Sequence, residues 1–293
     1  MENKKGTKRI KTKTEKRKVW QRIAIVFGAV LVFVCSVLGV LQAGVVYTKT
    51  HWEHWRPDYE QIDISALLDK NDKTEDDYET LYRQTGLTKI GIDDLLQERR
   101  KDRIFAIQEF LFKEREVKIR RFNPFTYMEE VEGFAPMARM KDGDIIVTAS
   151  VRVSWWRYGH AALVADGKNE RLLESLSPGV ESKYSGAYTF GNLANFMILR
   201  VNVDEEIKQQ AVAYAKENLV GLPYSMTVGV LSKKYKEEIK KTQCAHLVWY
   251  AYKKAGIDLD SNGGGIVKPQ DIANSPYVEV VQVVGYNLDT LWG

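Results

Sequence analysis

The sequence is poor in the residues that staple or metallate small domains: it has two cysteines and four histidines in 293 residues. Cys35 lies inside a long apolar run and Cys244 far beyond it, so no intramolecular disulfide can hold the segment that follows the run. His51 and His54, in HWEHW, have a spacing that suits a shared helix face, but no third ligand accompanies them. With Trp52 and Trp55 beside them, a membrane-surface belt is the expected role. There is no internal repeat, and no low-complexity stretch beyond a basic N-terminal tail. These absences exclude a disulfide scaffold and a repeat array, and neither a metal nor any other cofactor is expected.

Negative charge is scarce at the N-terminus. Residues 1–22 hold ten lysines and arginines against Glu2 and Glu15, whereas the rest of the chain is net acidic, so the overall charge of +4 belongs to the tail. A basic tail alone would suit nucleic acid. Here it precedes Ile23–Thr48, a run without a single charge, long enough to cross a hydrocarbon core about 30 Å thick. A buried core helix of this length would show a polar stripe. A cleaved signal peptide would need a shorter apolar stretch and small residues before the cut, where this chain has Leu41 ahead of Ala43. Val34 before Cys35 spoils a lipoprotein site. A retained transmembrane anchor at 23–48 is therefore expected, with residues 1–22 cytoplasmic and everything from Lys49 outside the cell membrane. Nucleic acid is not an expected partner.

From His51 to about Gly133 the sequence reads as polar and helical. Thr74 and Asp77 form a capping-box pattern and Gly86 a stop. A longer amphipathic helix is expected from about Asp93 to Glu114, with Ile104, Ile107 and Leu111 on one stripe. This segment, 49–135, is expected to be a helical stalk or packing collar without chemistry of its own. From Pro136 the texture changes to short strands, Asp144–Thr148, His160–Ala165, Arg171–Ser175, Asn195–Val203 and Val278–Val284, with helices after Asp204 and over Gln243–Lys254. Strands and helices segregate rather than alternate, so the fold class expected for 136–293 is α+β.

An unpaired thiol outside a membrane is either buried and inert or needed for chemistry. On a helix, Cys244, Leu247, Val248, Ala251 and Tyr252 share one face, which turns the thiol inward in the first turn, where free N–H groups favour negative charge. A small core residue fits this pattern as well. A nucleophilic thiol needs a base, usually histidine. His51 and His54 lie at the membrane exit, and His246 sits about 200° around the helix from Cys244, so elimination leaves His160, at the start of its strand. The base wants an acceptor to fix its tautomer. Across the Asp166-Gly167 turn, Glu174 is the carboxylate flanked by apolar residues and within reach of His160, although an ordinary strand-edge charge also fits. Trp155, Trp156 and Tyr158 either floor a substrate groove or simply pack.

The order GDIIV at Gly143–Val147, GHAALV at Gly159–Val164, Glu174, GLPY at Gly221–Tyr224 and CAHLVWYAY at Cys244–Tyr252 resembles the circularly permuted NlpC-type papain-like superfamily, with its YiiX-like and YycO-like members. The resemblance covers about Pro136 to Gly293. It implies a Cys-His-Glu triad of Cys244 as nucleophile, His160 as base and Glu174 as the orienting group. Tyr224 matches a tyrosine lining the oxyanion site, but a long lysine-rich stretch separates it from Cys244. Gln243 is the alternative donor, beside the Cys244 N–H. The implied activity is amide hydrolysis through a thioester, with bacterial peptidoglycan stem peptides as expected substrate. The alternatives are an acyl- or lipid-directed hydrolase or acyltransferase, and a non-catalytic wall-binding module.

Overall fold

The computed structural model describes residues 13–50, 55–122, 126–153 and 156–292. His51, Trp52 and His54 of the expected belt, and Trp155 of the expected groove, lie outside the described residues. The chain divides into two units, residues 1–51 and 52–293.

The described residues of the first unit form a single helix, α1 (Lys13–Thr50). Its Arg17–Gly44 portion has a mean hydropathy of 2.9 and is long and apolar enough to cross a membrane. Phe27, Leu31, Phe33 and Leu38 all stand exposed along it.

In the second unit the elements follow as α2 (Ser65–Asp69), α3 (Glu75–Thr85), α4 (Lys89–Gln97), α5 (Lys101–Phe112), β1 (Val117–Arg121), β2 (Thr126–Val131), β3 (Ile145–Thr148), β4 (Val151–Val153), β5 (His160–Asp166), β6 (Arg171–Glu174), β7 (Lys183–Gly186), α6 (Tyr188–Gly191), β8 (Phe196–Val201), α7 (Glu205–Asn218), α8 (Cys244–Lys254), α9 (Pro269–Ala273) and β9 (Val278–Val284). Six strands form one antiparallel sheet in the order β7-β6-β5-β3-β8-β9, and β1, β2 and β4 form a second, smaller one. The architecture is mixed α and β.

Both faces of the large sheet are covered, which is why β5 reads as a continuous apolar run and not as an alternation. Ile145, Val147, Ala161, Leu163, Leu173 and Leu199 point toward α7 and α8. Ile146, Ala162, Val164, Leu172, Phe196 and Ile198 point toward a second core, to which α2–α5 contribute Leu68, Leu81, Ile92, Leu95, Ile104 and Ile107. Helices α2–α5 thus pack over one face of the sheet, and the segment expected to be helical carries β1 and β2 as well. The boundary expected at Pro136 marks a change of texture within one folding unit.

The long helix expected over 93–114 is two helices, α4 and α5, broken at Glu98–Arg100, where Arg99 takes a left-handed conformation (φ 60°). The reason is geometric. At 100° per residue, Leu95 and Ile104 would lie on opposite sides of a straight helix, and both must reach the same core. The earlier start of α4 also moves Asp94 out of a first turn, where its carboxylate receives Arg200 of β8 and Lys141. Elsewhere Thr74 and Asp77 close the capping box and Gly86 is a left-handed stop. Asp204 precedes α7 as expected, but its side chain makes no capping bond.

Candidate active site

Antiparallel pairing fixes where the two strand residues meet. His160 opens β5, opposite Thr148 of β3. Gly159 just before it has φ 78°, and a Cβ there would stand 2.5 Å from the Thr148 carbonyl oxygen, so only glycine lets β5 start this close to β3. Glu174 ends β6 opposite Ala162. Residues 160 and 162 share a face, and the Glu174 carboxylate crosses the diagonal to His160, with Nε2 and Oε2 2.6 Å apart. Both side chains are buried, and the His160 ring stacks on Phe190 at 5.5 Å.

Cys244 is the first residue of α8 and is 2 % exposed. Its sulfur is one of the two groups, with the Glu174 carboxylate, that raise the His160 pKa. Because a carboxylate only accepts, Glu174 places a proton on Nε2, and Nδ1 is the ring nitrogen left for the sulfur. Burial pulls the His160 pKa down, but the neighbouring Cys244 sulfur and the Glu174 carboxylate outweigh it and hold the ring at about 10. Burial likewise raises the Glu174 carboxyl, and hydrogen bonding and charge from His160 overcome it, leaving the group below the usual carboxylate value. The favoured state is an imidazolium held by the Glu174 carboxylate.

Gln243 is the N-cap of α8. Its Oε1 accepts from the Ala245 N–H at 3.2 Å and from the Cys244 thiol at 3.3 Å, while Nε2 donates to the Val267 carbonyl at 2.8 Å. The amide is therefore spent largely on the cap and on the 267 loop. The Cys244 N–H, at the first helical position, has no intrahelical acceptor.

Tyr224 reaches the site in spite of the lysine-rich stretch. Tyr224 bridges Thr242, the Ser225 N–H donates to the Thr242 carbonyl at 2.7 Å, and the Thr242 N–H donates to Pro223 at 3.1 Å. Residues 226–241 thus leave and return through a pinched base, two residues from Cys244. Tyr158 and Tyr224 both line the cleft at Cys244. Burial, followed by the Cys244 charge, drives both phenols up, Tyr158 to about 12. Both stay protonated at neutral pH and so can donate hydrogen bonds.

His246 lies apart from this row. Its Nε2 donates to the Lys234 carbonyl at 2.8 Å, and the Thr242 hydroxyl meets Nδ1 at 2.9 Å. Burial lowers its pKa to about 4, so the ring is neutral. With Tyr250, whose hydroxyl donates to the carbonyls of Lys236 and Glu237, it binds the 226–241 loop over the second face of α8.

The cleft at the thiol has a cavity volume of about 90 Å³ and is lined mainly by apolar side chains, among them Trp156, Tyr158, Tyr224, Met226, Val228 and Ile266. Met226, Val228 and the 266–269 segment carry no motif, and only the close approach of two loops makes them a wall. A second cavity lies against His160 and Glu174, with Phe122, Phe134 and Tyr188 around it. Among the described residues, no three His, Cys, Asp or Glu side chains converge as a metal site.

No family profile matches the chain, and no solved structure does. The chain is similar to the uncharacterized protein YycO of Bacillus subtilis (strain 168), with 30% identity over 144 residues. That alignment covers 48% of this chain and 56% of the relative, so the chain spans little more than half the length of the protein it matches.

Proposed function

We propose that this chain is a membrane-anchored, extracytoplasmic cysteine hydrolase of the circularly permuted NlpC-type papain-like class, cleaving amide bonds of cell-wall peptides. The observation that carries the reading is the buried His160–Glu174 pair at 2.6 Å, together with a buried thiol at a helix start whose sulfur raises the pKa of the same ring. An inert core cysteine has no need of a histidine partner whose other nitrogen is held by a buried carboxylate.

In this reading the Cys244 thiolate attacks the amide carbonyl carbon, and the oxyanion receives the Cys244 N–H and a phenol from Tyr158 or Tyr224. The His160 imidazolium gives its Nδ1 proton to the departing amine, leaving a thioester on Cys244. Water then attacks the thioester as His160 takes a proton from it, and the thiolate leaves as the acid product forms. Glu174 keeps the ring oriented throughout.

The test is to incubate the detergent-solubilised chain with purified peptidoglycan and identify released fragments by mass, with Cys244→Ala as control. Fragments from the parent alone support the reading, and none from either would exclude a wall peptide as substrate. The apolar cleft favours a second reading, an acyl- or lipid-directed thioester enzyme. An acyl adduct on Cys244 after incubation with phospholipid would identify it.

A further inference from the structure

We propose that the loop 226–241 seats the folded unit on an anionic lipid surface, with Met226, Val230, Leu231 and Ile266 entering the lipid and lysines of the loop meeting its head groups. The inference needs no step of the chemistry above.

The first observation is exposure on an ordered loop. Leu231 is 82 % exposed, more than any other large apolar side chain among the described residues, including those of α1, and Met226 and Val230 are 62 % and 59 % exposed. The loop is tightly built. The Val230 and Leu231 N–H groups both donate to the Thr227 carbonyl, at 3.1 and 3.0 Å, and the Gly229 N–H donates to Ser232 at 2.9 Å. A Cβ on Gly229 would collide with the Gly265 carbonyl oxygen at 1.9 Å, so this turn is pressed against the segment carrying Ile266. Its base is pinched at Tyr224–Thr242 and its far limb is tied to His246 and Tyr250. The apolar tip is held in place by the backbone and has no protein covering it.

The second observation is charge. Residues 226–241 hold five lysines against Glu237 and Glu238, in a chain that is otherwise acidic beyond its N-terminal tail. Lys234 is paired with Asp260. Lys233, Lys236 and Lys240 are exposed, and among the described residues no carboxylate pairs with them. Aliphatic side chains flanked by lysines match the composition of interfacial membrane contacts. Protein interfaces instead are depleted in lysine and anchored by aromatic residues and arginine. The chain also supplies the bilayer, since an apolar helix of spanning length ends a few residues before the folded unit. Met226 and Ile266 line the cleft at Cys244 as well as the patch, so docking would open the thiol to groups carried at the lipid surface.

The test uses the full chain in nanodiscs, with Cys35 and Cys244 replaced by serine. Leu231→Cys carries an environment-sensitive NBD label, and Lys168→Cys at the exposed β5–β6 turn serves as control. Leu231 has almost no packing to lose, so the label should not disturb folding. In phosphatidylglycerol-containing discs, doxyl-labelled lipids should quench the label at 231 several-fold more than at 168. Combining Lys233→Glu, Lys236→Glu and Lys240→Glu, or using phosphatidylcholine alone, should remove most of the difference. Equal weak quenching at both positions would overturn the proposal. So would blue-shifted emission at 231 without lipid quenching, which would show that a protein or a second copy covers the tip. Neither readout involves turnover, so the result stands apart from the fate of the proposed catalysis.

Discussion

Glu174 is paired in register with Ala162, yet its carboxylate is bonded to His160, two residues along the same strand face, with Nε2 and Oε2 2.6 Å apart. The diagonal puts the Glu174 carboxylate on Nε2 and leaves Nδ1 clear of it. Glu174→Gln keeps an acceptor oxygen and removes the charge. The His160 pKa, held at about 10 by Cys244 and Glu174 against burial, should therefore fall. NMR titration of the ring nitrogens should show a lower midpoint, and the alkaline limb of turnover, where the imidazolium is lost, should move to lower pH. Folding raises this pKa from 6.5, so its contribution to stability is fully present below that value and is lost as pH rises through about 10. An unmoved midpoint would remove Glu174 from the site.

The two histidines near α8 separate chemistry from scaffolding. His160→Ala should reduce turnover on the order of 10²–10⁴-fold if the ring is the general acid and base. His246→Ala should leave turnover within a few-fold while lowering stability by about 1–3 kcal/mol, because it takes the ring's donor from the Lys234 carbonyl and one of the two partners from the buried Thr242 hydroxyl. Urea unfolding and peptidoglycan turnover measured on both variants check this. Equal turnover losses would contradict the assignment.

Arg99 gives a prediction about the fold alone. Its left-handed backbone is the break that lets α4 and α5 both face the core, and a non-glycine side chain pays for it. Arg99→Gly should raise stability by about 0.5–1 kcal/mol, and Arg99→Val should lower it by a comparable amount or more. Both should leave Cys244 alkylation by iodoacetamide unchanged. A lower thermal midpoint for Arg99→Gly would mean that contacts of the arginine outweigh the backbone strain.

These residues also show what could be read in advance. The Cys244–Tyr252 stripe and the continuous apolar run of β5 encode local periodicity, and with four histidines to choose from, elimination leads to the ring that is bonded to Glu174 in the structure. The break at Arg99 was legible in principle, since Leu95 and Ile104 are out of phase, but a stripe read from Ile104 onward hides it. The burial of His246, Trp249 and Tyr250 was not legible, because α8 is covered on that side by a loop whose anchoring bonds run through backbone carbonyls and leave no trace in side-chain pattern. The same holds for Met226 and Ile266, which become one wall only because Gly229 and Gly265 touch. The strands β1 and β2 went unread since charged residues dominate Val117–Arg121.

The final prediction concerns the two phenols beside the sulfur. Tyr158 and Tyr224 both line the cleft, and in each burial and then the charge on Cys244 favour the protonated hydroxyl. A protonated phenol aimed at developing negative charge is a fitting oxyanion donor, whereas the Gln243 amide is engaged with Val267 and the helix start. Removing a true oxyanion donor costs on the order of 10²–10³ in kcat with little change in KM, because the interaction forms in the transition state. Tyr224→Phe should show that loss, with Cys244 alkylation unaffected, since alkylation creates no oxyanion. Tyr158→Phe is the matched comparison. If Tyr158→Phe alone shows the loss, the donor is on the β5 side of the cleft and Tyr224 merely packs. If both retain turnover within a few-fold, the Cys244 N–H carries the oxyanion without help from either ring.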